Sequence, residues 1–292
     1  MPTWTMSWVW LAGAAGMGLL LRLGSVRLPR LRWRTHLLCW LAALVVSAPR
    51  LPYLLEPALG YAVEAVAFDD HWHFQELMSL VNSPAFPPVS TFDPSLLLPY
   101  YYGPWIPGAV VWQIGAVVTI KQAFFVLHVL YAAALLYATV YTARAVFRTR
   151  LNRSVLFVVV LLFGGFDAFA APFVKATSEW WAMDLGLMLQ FSSTITLLSW
   201  VPHHVAGALA VVAAARWADS RRWSDRVTAG VLLASAVGAS PLVCLGAVIF
   251  LSWWVVTRGL WVSAVVAAGV GSCSARRSGG CTWSPGNVGS PR

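Results

Sequence analysis

The run AFFVLHVLYAAALLYATVYTA (Ala123–Ala143) decides the fold. It carries no lysine, arginine, aspartate or glutamate and matches the ~20 apolar residues that a helix needs to cross a bilayer. It starts after Lys121-Gln122 and ends in the cluster Arg144, Arg148, Arg150 and Arg153. The rest of the chain repeats the pattern of apolar runs closed by arginines. Of 292 residues, 59% are hydrophobic and 11% charged, with a mean hydropathy of +0.70 and 17 tryptophans. A soluble domain could not bury that much apolar surface. The net charge of +9 sits in short clusters between apolar runs, as in cytoplasmic loops of membrane proteins, so it reads as topology and not as a nucleic-acid footprint. Cys39, Cys244, Cys273 and Cys281 show no CxxC spacing, which indicates neither a zinc site nor a disulfide framework.

Toward the N-terminus, Trp4–Leu23 is long enough to span and reads as a retained helix with no convincing cleavage site. Arg22, Arg27, Arg30, Arg32 and Arg34 follow it, which puts the N-terminus outside. Leu37–Leu55 returns outward, and Pro49-Arg50-Leu51-Pro52 breaks or kinks its far end. From Leu51 to Ile120 there is no lysine or arginine, while Glu56, Glu64, Asp69, Asp70, Glu76 and Asp93 all fall there. A first outer loop is therefore expected over 56–104.

On the other side of the central run, Trp105–Ile120 is short. If it crosses, the Arg144–Arg153 cluster lands outside, against the positive-inside rule; if it is re-entrant, the parity works. Ser154–Val174 spans next, with Asp167 near its outer end, and a second outer loop covers 175–194. Ile195–Trp217 follows, interrupted by Trp200-Val201-Pro202-His203-His204 and closed by Arg216, Arg221, Arg222 and Arg226. Val227–Val256 is one long kinked helix or two short ones meeting near Ser240-Pro241, because it exceeds a single untilted crossing. Beyond Gly269, Gly, Ser, Arg, Cys and Pro without apolar periodicity read as a disordered tail, or as an out-of-frame end of a longer protein. The expected fold is an all-α polytopic membrane protein with about 6–8 transmembrane helices and a helical first extracytoplasmic loop. It divides into an N-terminal helix and basic loop (1–36), a transmembrane domain (37–257) and a tail (258–292).

Chemistry concentrates in Phe68-Asp69-Asp70-His71-Trp72-His73-Phe74-Gln75-Glu76. A helix over Gly60–Val81, stopped by Asn82-Ser83-Pro84, places Asp69, His73 and Glu76 on one face and points Asp70 and His71 elsewhere. Such a face can act as a general base, with a carboxylate raised by apolar surroundings and a histidine to relay the proton. It could equally hold a divalent cation, Mg or Mn, through Asp69, His73 and Glu76. The alternative is a solvated face on an interfacial helix with Trp72 and Phe74 in the headgroups. Phe86-Pro87-Pro88 and Asp93-Pro94 make a stiff connection to Tyr100-Tyr101-Tyr102-Gly103, whose aromatic faces and hydroxyls suit a sugar-like ligand or an interfacial belt. Asp167, His203 and His204 near or within apolar spans are functional candidates, or lie shallow in the headgroup region.

The arrangement of an outward helix, an acidic motif on an outer-loop helix (Asp69-Asp70-His71-Trp72-His73-Phe74) and further spans resembles the GT-C superfamily of membrane glycosyltransferases. The Phe86-Pro87-Pro88 and Tyr100-Tyr101-Tyr102-Gly103 segments, with Trp200-Val201-Pro202-His203-His204, are similar to related membrane proteins that carry a tyrosine run. The resemblance covers Leu37 to Trp217. It implies sugar transfer from a polyprenyl-phosphate donor to an acceptor on the outer side of the cytoplasmic membrane. It also implies that Asp69 or Asp70, with His73, acts as base or metal holder. Glu76, Asp93, Tyr100, Tyr101, Tyr102, Asp167, His203, His204, Arg50 and Lys175 are the candidate substrate-binding residues, the last two supplying positive charge for the donor phosphate. Membrane lipids are the expected surroundings, and nucleic acid is not an expected partner. Two other classes compete: a transporter using Asp167 and His203 or His204 at membrane depth, and a non-catalytic cell-envelope assembly protein.

Overall fold

The computed structural model describes residues 3–24, 30–66, 69–83, 88–91, 93, 95, 103–147, 149–162, 179–181, 190–192, 194, 197–198, 201–218, 220, 222–258 and 265. The described fold is helical: α1 Thr3–Leu23, α2 Trp33–Ser47, α3 Leu51–Leu59, α4 Asp70–Asn82, α5 Ile106–Gln113, α6 Ile120–Val146, α7 Arg150–Leu162, α8 Pro202–Ala218, α9 Trp223–Ala239 and α10 Pro241–Arg258. A minimal antiparallel pairing joins β1 (Glu179–Trp181) to β2 (Gln190–Ser192).

The central apolar run is the spine. Thr119 caps α6: its hydroxyl accepts from the Gln122 N–H, and the Gln122 side chain accepts from the Thr119 N–H. That reciprocal pair satisfies donors the first turn would otherwise leave open. Along α6, Phe124, Leu127, Ala132, Ala133, Leu135 and Leu136 are buried. Two helices are long and apolar enough to cross a membrane, Trp33–Leu59 and Ile120–Arg144. The most apolar window of the second is 61% buried, that of the first 28%. Hence α6 is the core of the bundle and α2 its flank, with Leu37, Leu38, Trp40, Leu41, Leu44 and Val45 exposed. So broad an apolar surface is suited to hydrocarbon and not to water.

Trp33–Leu59 is not straight. Pro49 and Pro52 remove two N–H donors, and the chain passes through a 3-10 turn at Ala48–Arg50 before α3 begins. Gly60, at φ 73, ends α3 in the left-handed region that favours glycine. The chain then turns back. Val63 N–H donates to Glu56 and Val66 N–H to the Tyr53 hydroxyl, so residues 61–66 are not helical. This corrects the expected helix over Gly60–Val81: it starts at Asp70. Its expected stop holds, since α4 ends at Asn82 with Ser83 extended.

Three further boundaries are now fixed. At ~1.5 Å per residue, α5 is only ~12 Å long and cannot cross a ~30 Å hydrocarbon core; it ends at a turn with Gly115 at φ 73. The stretch Val227–Val256 is two helices, with α9 and α10 meeting at the extended residue Ser240. The apolar stretch after Arg150 begins as α7; its expected outer end at Asp167 lies outside the described residues, as do Lys175, most of the second outer loop, Trp200, Tyr100, Tyr101, Tyr102, Phe86 and the tail.

Helix directions follow from side-chain contacts. His36 meets the Tyr137 hydroxyl at 2.9 Å, and the Ser47 hydroxyl meets His128 at 2.9 Å, so α2 runs antiparallel to α6. Arg144 donates to the Arg30 carbonyl at 3.4 Å, which brings two arginine clusters to one end of the bundle. Near the other end, the ring of His203, at the start of α8, lies 6.0 Å from that of His73. From there α8 runs ~25 Å toward Arg216, and α9 returns. The bundle thus has one basic end and one end that holds α4 and the lysine-free, arginine-free loop.

Candidate functional site at the acidic end

The site is built where α3, α4, α5, α6 and α8 meet. Helix α4 docks through Phe74, Leu77, Leu80 and Val81, all buried. Those positions repeat at helical spacing, and continuing the stripe backwards turns Asp70 and His73 inward too. Asp70 is fully buried. Arg50 Nη2 donates to its Oδ1 at 2.8 Å and the Tyr53 hydroxyl to its Oδ2 at 2.8 Å. Spacing set Asp70 apart from the face of His73 and Glu76; in the fold all three are buried, and Asp70 anchors α4 to the 3-10 turn. Arg50 is committed to that carboxylate and is not an exposed phosphate ligand. Asp69, just before α4, is partly exposed, whereas Asp70 and Glu76 are buried. His71 and Trp72 face outward, while Phe74 is in the core and not in the headgroups.

His73 is buried among rings: the Trp105 centroid at 4.6 Å, Phe124 at 5.8 Å and His203 at 6.0 Å. Burial, reinforced by the neighbouring His203, Arg50 and His128, lowers its pKa to about 3, so the imidazole is neutral at physiological pH. Glu76, one turn on, is also buried, and desolvation raises its pKa to about 8. The Trp105 indole N–H opposes that rise and Asp69 adds to it, although the indole falls short of hydrogen-bond geometry toward any acceptor. His73 Nδ1, Glu76 Oε2 and Trp105 Nε1 are buried without hydrogen-bond partners among the described residues.

Trp105 is held by its surroundings: the Tyr131 hydroxyl of α6 donates to the preceding carbonyl, Pro104 O, at 2.5 Å. His203 is buried, and its ring lies 4.2 Å from that of His204. His204 Nδ1 lies 2.6 Å from the Ser240 hydroxyl, linking the site to the joint between α9 and α10. Gly207 allows that approach, because a Cβ there would sit 3.0 Å from Ser240 Cβ. A second latch joins α3 to α6: Lys121 Nζ donates to Glu56 at 2.8 Å and to the Val63 carbonyl at 2.5 Å.

The structure brings together Arg50, Asp70, His73, Glu76 and His203 of the candidates, with Asp69 beside them and His204 behind. Asp93 is exposed and closes a local turn, accepting from Ser95 N and Oγ, which hold its pKa below the usual carboxylate range. The expected cation set does not assemble: among the described residues no three His, Cys, Asp or Glu side chains converge as metal ligands. Tyr53, Trp105 and His128 were not singled out by sequence. For Trp105 the signal was its place straight after Gly103-Pro104, where the chain turns into α5. Comparison with known protein families, with characterised proteins and with solved structures gives no match to this chain.

Proposed function

We propose that this chain is a multi-pass membrane protein of the GT-C type, or a piece of one, that transfers a sugar from a polyprenyl-phosphate donor at the outer face of the cytoplasmic membrane. The basic end of the bundle is cytoplasmic and α4 is outside. With α5 too short to cross, α1, the α2–α3 helix, α6, α7, α8, α9 and α10 supply seven spans, and the arginine clusters around Arg30, Arg144 and Arg222 share the inner side. The observation that carries the reading is that Asp70, His73 and Glu76 of α4 meet Arg50 of the 3-10 turn and His203 of α8 at the acidic end. Ionisable groups are costly among membrane helices and are retained there for function.

Within this reading Asp70 holds α4 in place, and Asp69, the partly exposed carboxylate just before α4, serves as base toward the acceptor hydroxyl. Lipid-linked sugar transfer assayed in membranes should be lost in Asp69→Asn while the protein's unfolding temperature is unchanged. Full turnover in that variant would remove the assignment. The buried His73–His203 contact also favours a second reading, a proton-coupled carrier. Substrate uptake that depends on a proton gradient, without sugar transfer, would select it.

A further inference from the structure

Glu76 lacks what a buried carboxylate needs. Glu76 takes part in neither the Arg50–Asp70 nor the Lys121–Glu56 ion pair. Its Oε2 has no hydrogen-bond partner, and the buried Trp105 indole lies close enough to act on its carboxyl. An ionised carboxylate in such a place is strongly disfavoured unless it is paired, whereas the neutral acid has an O–H to donate. A suitable acceptor lies one turn away: His73 is buried on the same face of α4, its Nδ1 is also without a partner, and it packs on the same indole. Residues three apart on a helix are neighbours, and because neither atom has a direct partner the path between them runs through one bridging water.

We infer that Glu76 is a protonated carboxylic acid at neutral pH and that it forms, with His73, a buried proton-transfer pair walled by Trp105. The Glu76 carboxyl gives its proton to the bridging water as that water gives one to His73 Nδ1, leaving carboxylate and imidazolium, and the proton returns by the same path; no other reactant is consumed. The environment favours the neutral pair on every side. On α4 itself Asp69 is a like charge for ionised Glu76, and Asp70 is neutralised by Arg50. Helix α5 and the turn before it offer Trp105 and no charged group. Helix α6 brings Lys121, bound to Glu56, and His128, bound to Ser47. Helix α8 brings His203, backed by His204, and α1 brings no carboxylate, its Arg22 being exposed. The site is independent of sugar transfer: a protein that transfers nothing would still hold this proton.

Infrared difference spectroscopy of the full chain in lipid nanodiscs, titrated across neutral pH, tests it. A protonated-carboxyl band should persist at neutral pH and vanish in the near-isosteric Glu76→Gln, but remain in Asp69→Asn. Wild-type protein grown with carbon-13 glutamate should shift the band, and carbon-13 aspartate should leave it, so the identification survives even if a variant folds poorly. His73→Phe, by removing the acceptor, should move the band to higher frequency. Absence of the band in wild-type protein, its persistence in Glu76→Gln, its insensitivity to labelled glutamate, or an unshifted band in His73→Phe would each overturn the pair.

Discussion

Replacing Asp70 by Asn separates anchorage from chemistry. The Arg50 guanidinium and the Asp70 carboxylate are both buried and 2.8 Å apart, and the Tyr53 hydroxyl takes the second oxygen. Asp70→Asn leaves a buried guanidinium without its counter-charge, a change that costs about 3–5 kcal/mol. Tyr53→Phe removes the hydrogen bond to the charged Asp70 acceptor and also the acceptor of the Val66 N–H, together about 2–3 kcal/mol. The double variant Arg50→Met with Asp70→Leu removes both charges together and should fall within about 2 kcal/mol of wild type, because desolvating the pair offsets most of its attraction. Unfolding temperature in nanodiscs, followed by intrinsic fluorescence, ranks the variants: Asp70→Asn lowest, Tyr53→Phe next, the double variant nearest wild type. Because α4 is held to the 3-10 turn through this pair, proteolysis between α3 and α4 should rise in the same order. An Asp70→Asn protein as stable as wild type would refute the anchoring role and return Asp70 to the list of reactive carboxylates.

Further outcomes follow from the same geometry. Glu76 has a folded-state pKa raised from 4.5 to about 8, so the folded form keeps an extra proton and its contribution to stability is full below about pH 4.5 and lost as pH rises toward 8. His73, lowered from 6.5 to about 3, contributes fully above about pH 6.5 and loses it as pH falls toward 3. Stability should plateau between those limits, and Glu76→Gln should remove the alkaline decline, on the order of 2 kcal/mol between about pH 6 and about pH 8; a parallel decline in the variant would contradict the assignment. Gly207→Val should destabilise by about 1–3 kcal/mol, since even a Cβ would crowd Ser240, while the exposed substitution Ala208→Val on the same helix should cost less; thermal unfolding compares them. Lys121→Met should loosen residues 60–66 and raise amide exchange there, because the Glu56 and Val63 contacts go together.

The long apolar helices were legible because length and composition advertise them, and the kink at Pro49–Pro52, the stop at Asn82 and the joint at Ser240-Pro241 follow from proline geometry. The helical surroundings of the acidic motif were legible too, but not its direction. Counting from Asp69 grouped Asp69, His73 and Glu76, whereas Phe74, Leu77, Leu80 and Val81 fix which face docks, and that stripe brings in Asp70. Read from the apolar residues first, the same spacing would have turned Asp70 inward. The partners of the site were beyond local reading. Arg50 finds Asp70 across 20 residues and the Ser47 hydroxyl finds His128 across 81, through helix packing that no spacing rule encodes. The shortness of α5 was not legible either, since periodicity does not distinguish a crossing helix from a re-entrant one when the run is short.

The claim on which the others depend is that the chain lies in a membrane with α4 on the outer side and the arginine clusters on the inner. In a cysteine-free background, His71→Cys on the exposed face of α4 and Thr149→Cys at the exposed basic end can be challenged with a membrane-impermeant thiol reagent in intact cells. The expected result is labelling of His71→Cys without permeabilisation and of Thr149→Cys only after it. Equal labelling of both positions in intact cells, or protection of His71→Cys until the membrane is opened, would contradict this placement and the outer-face site built on it.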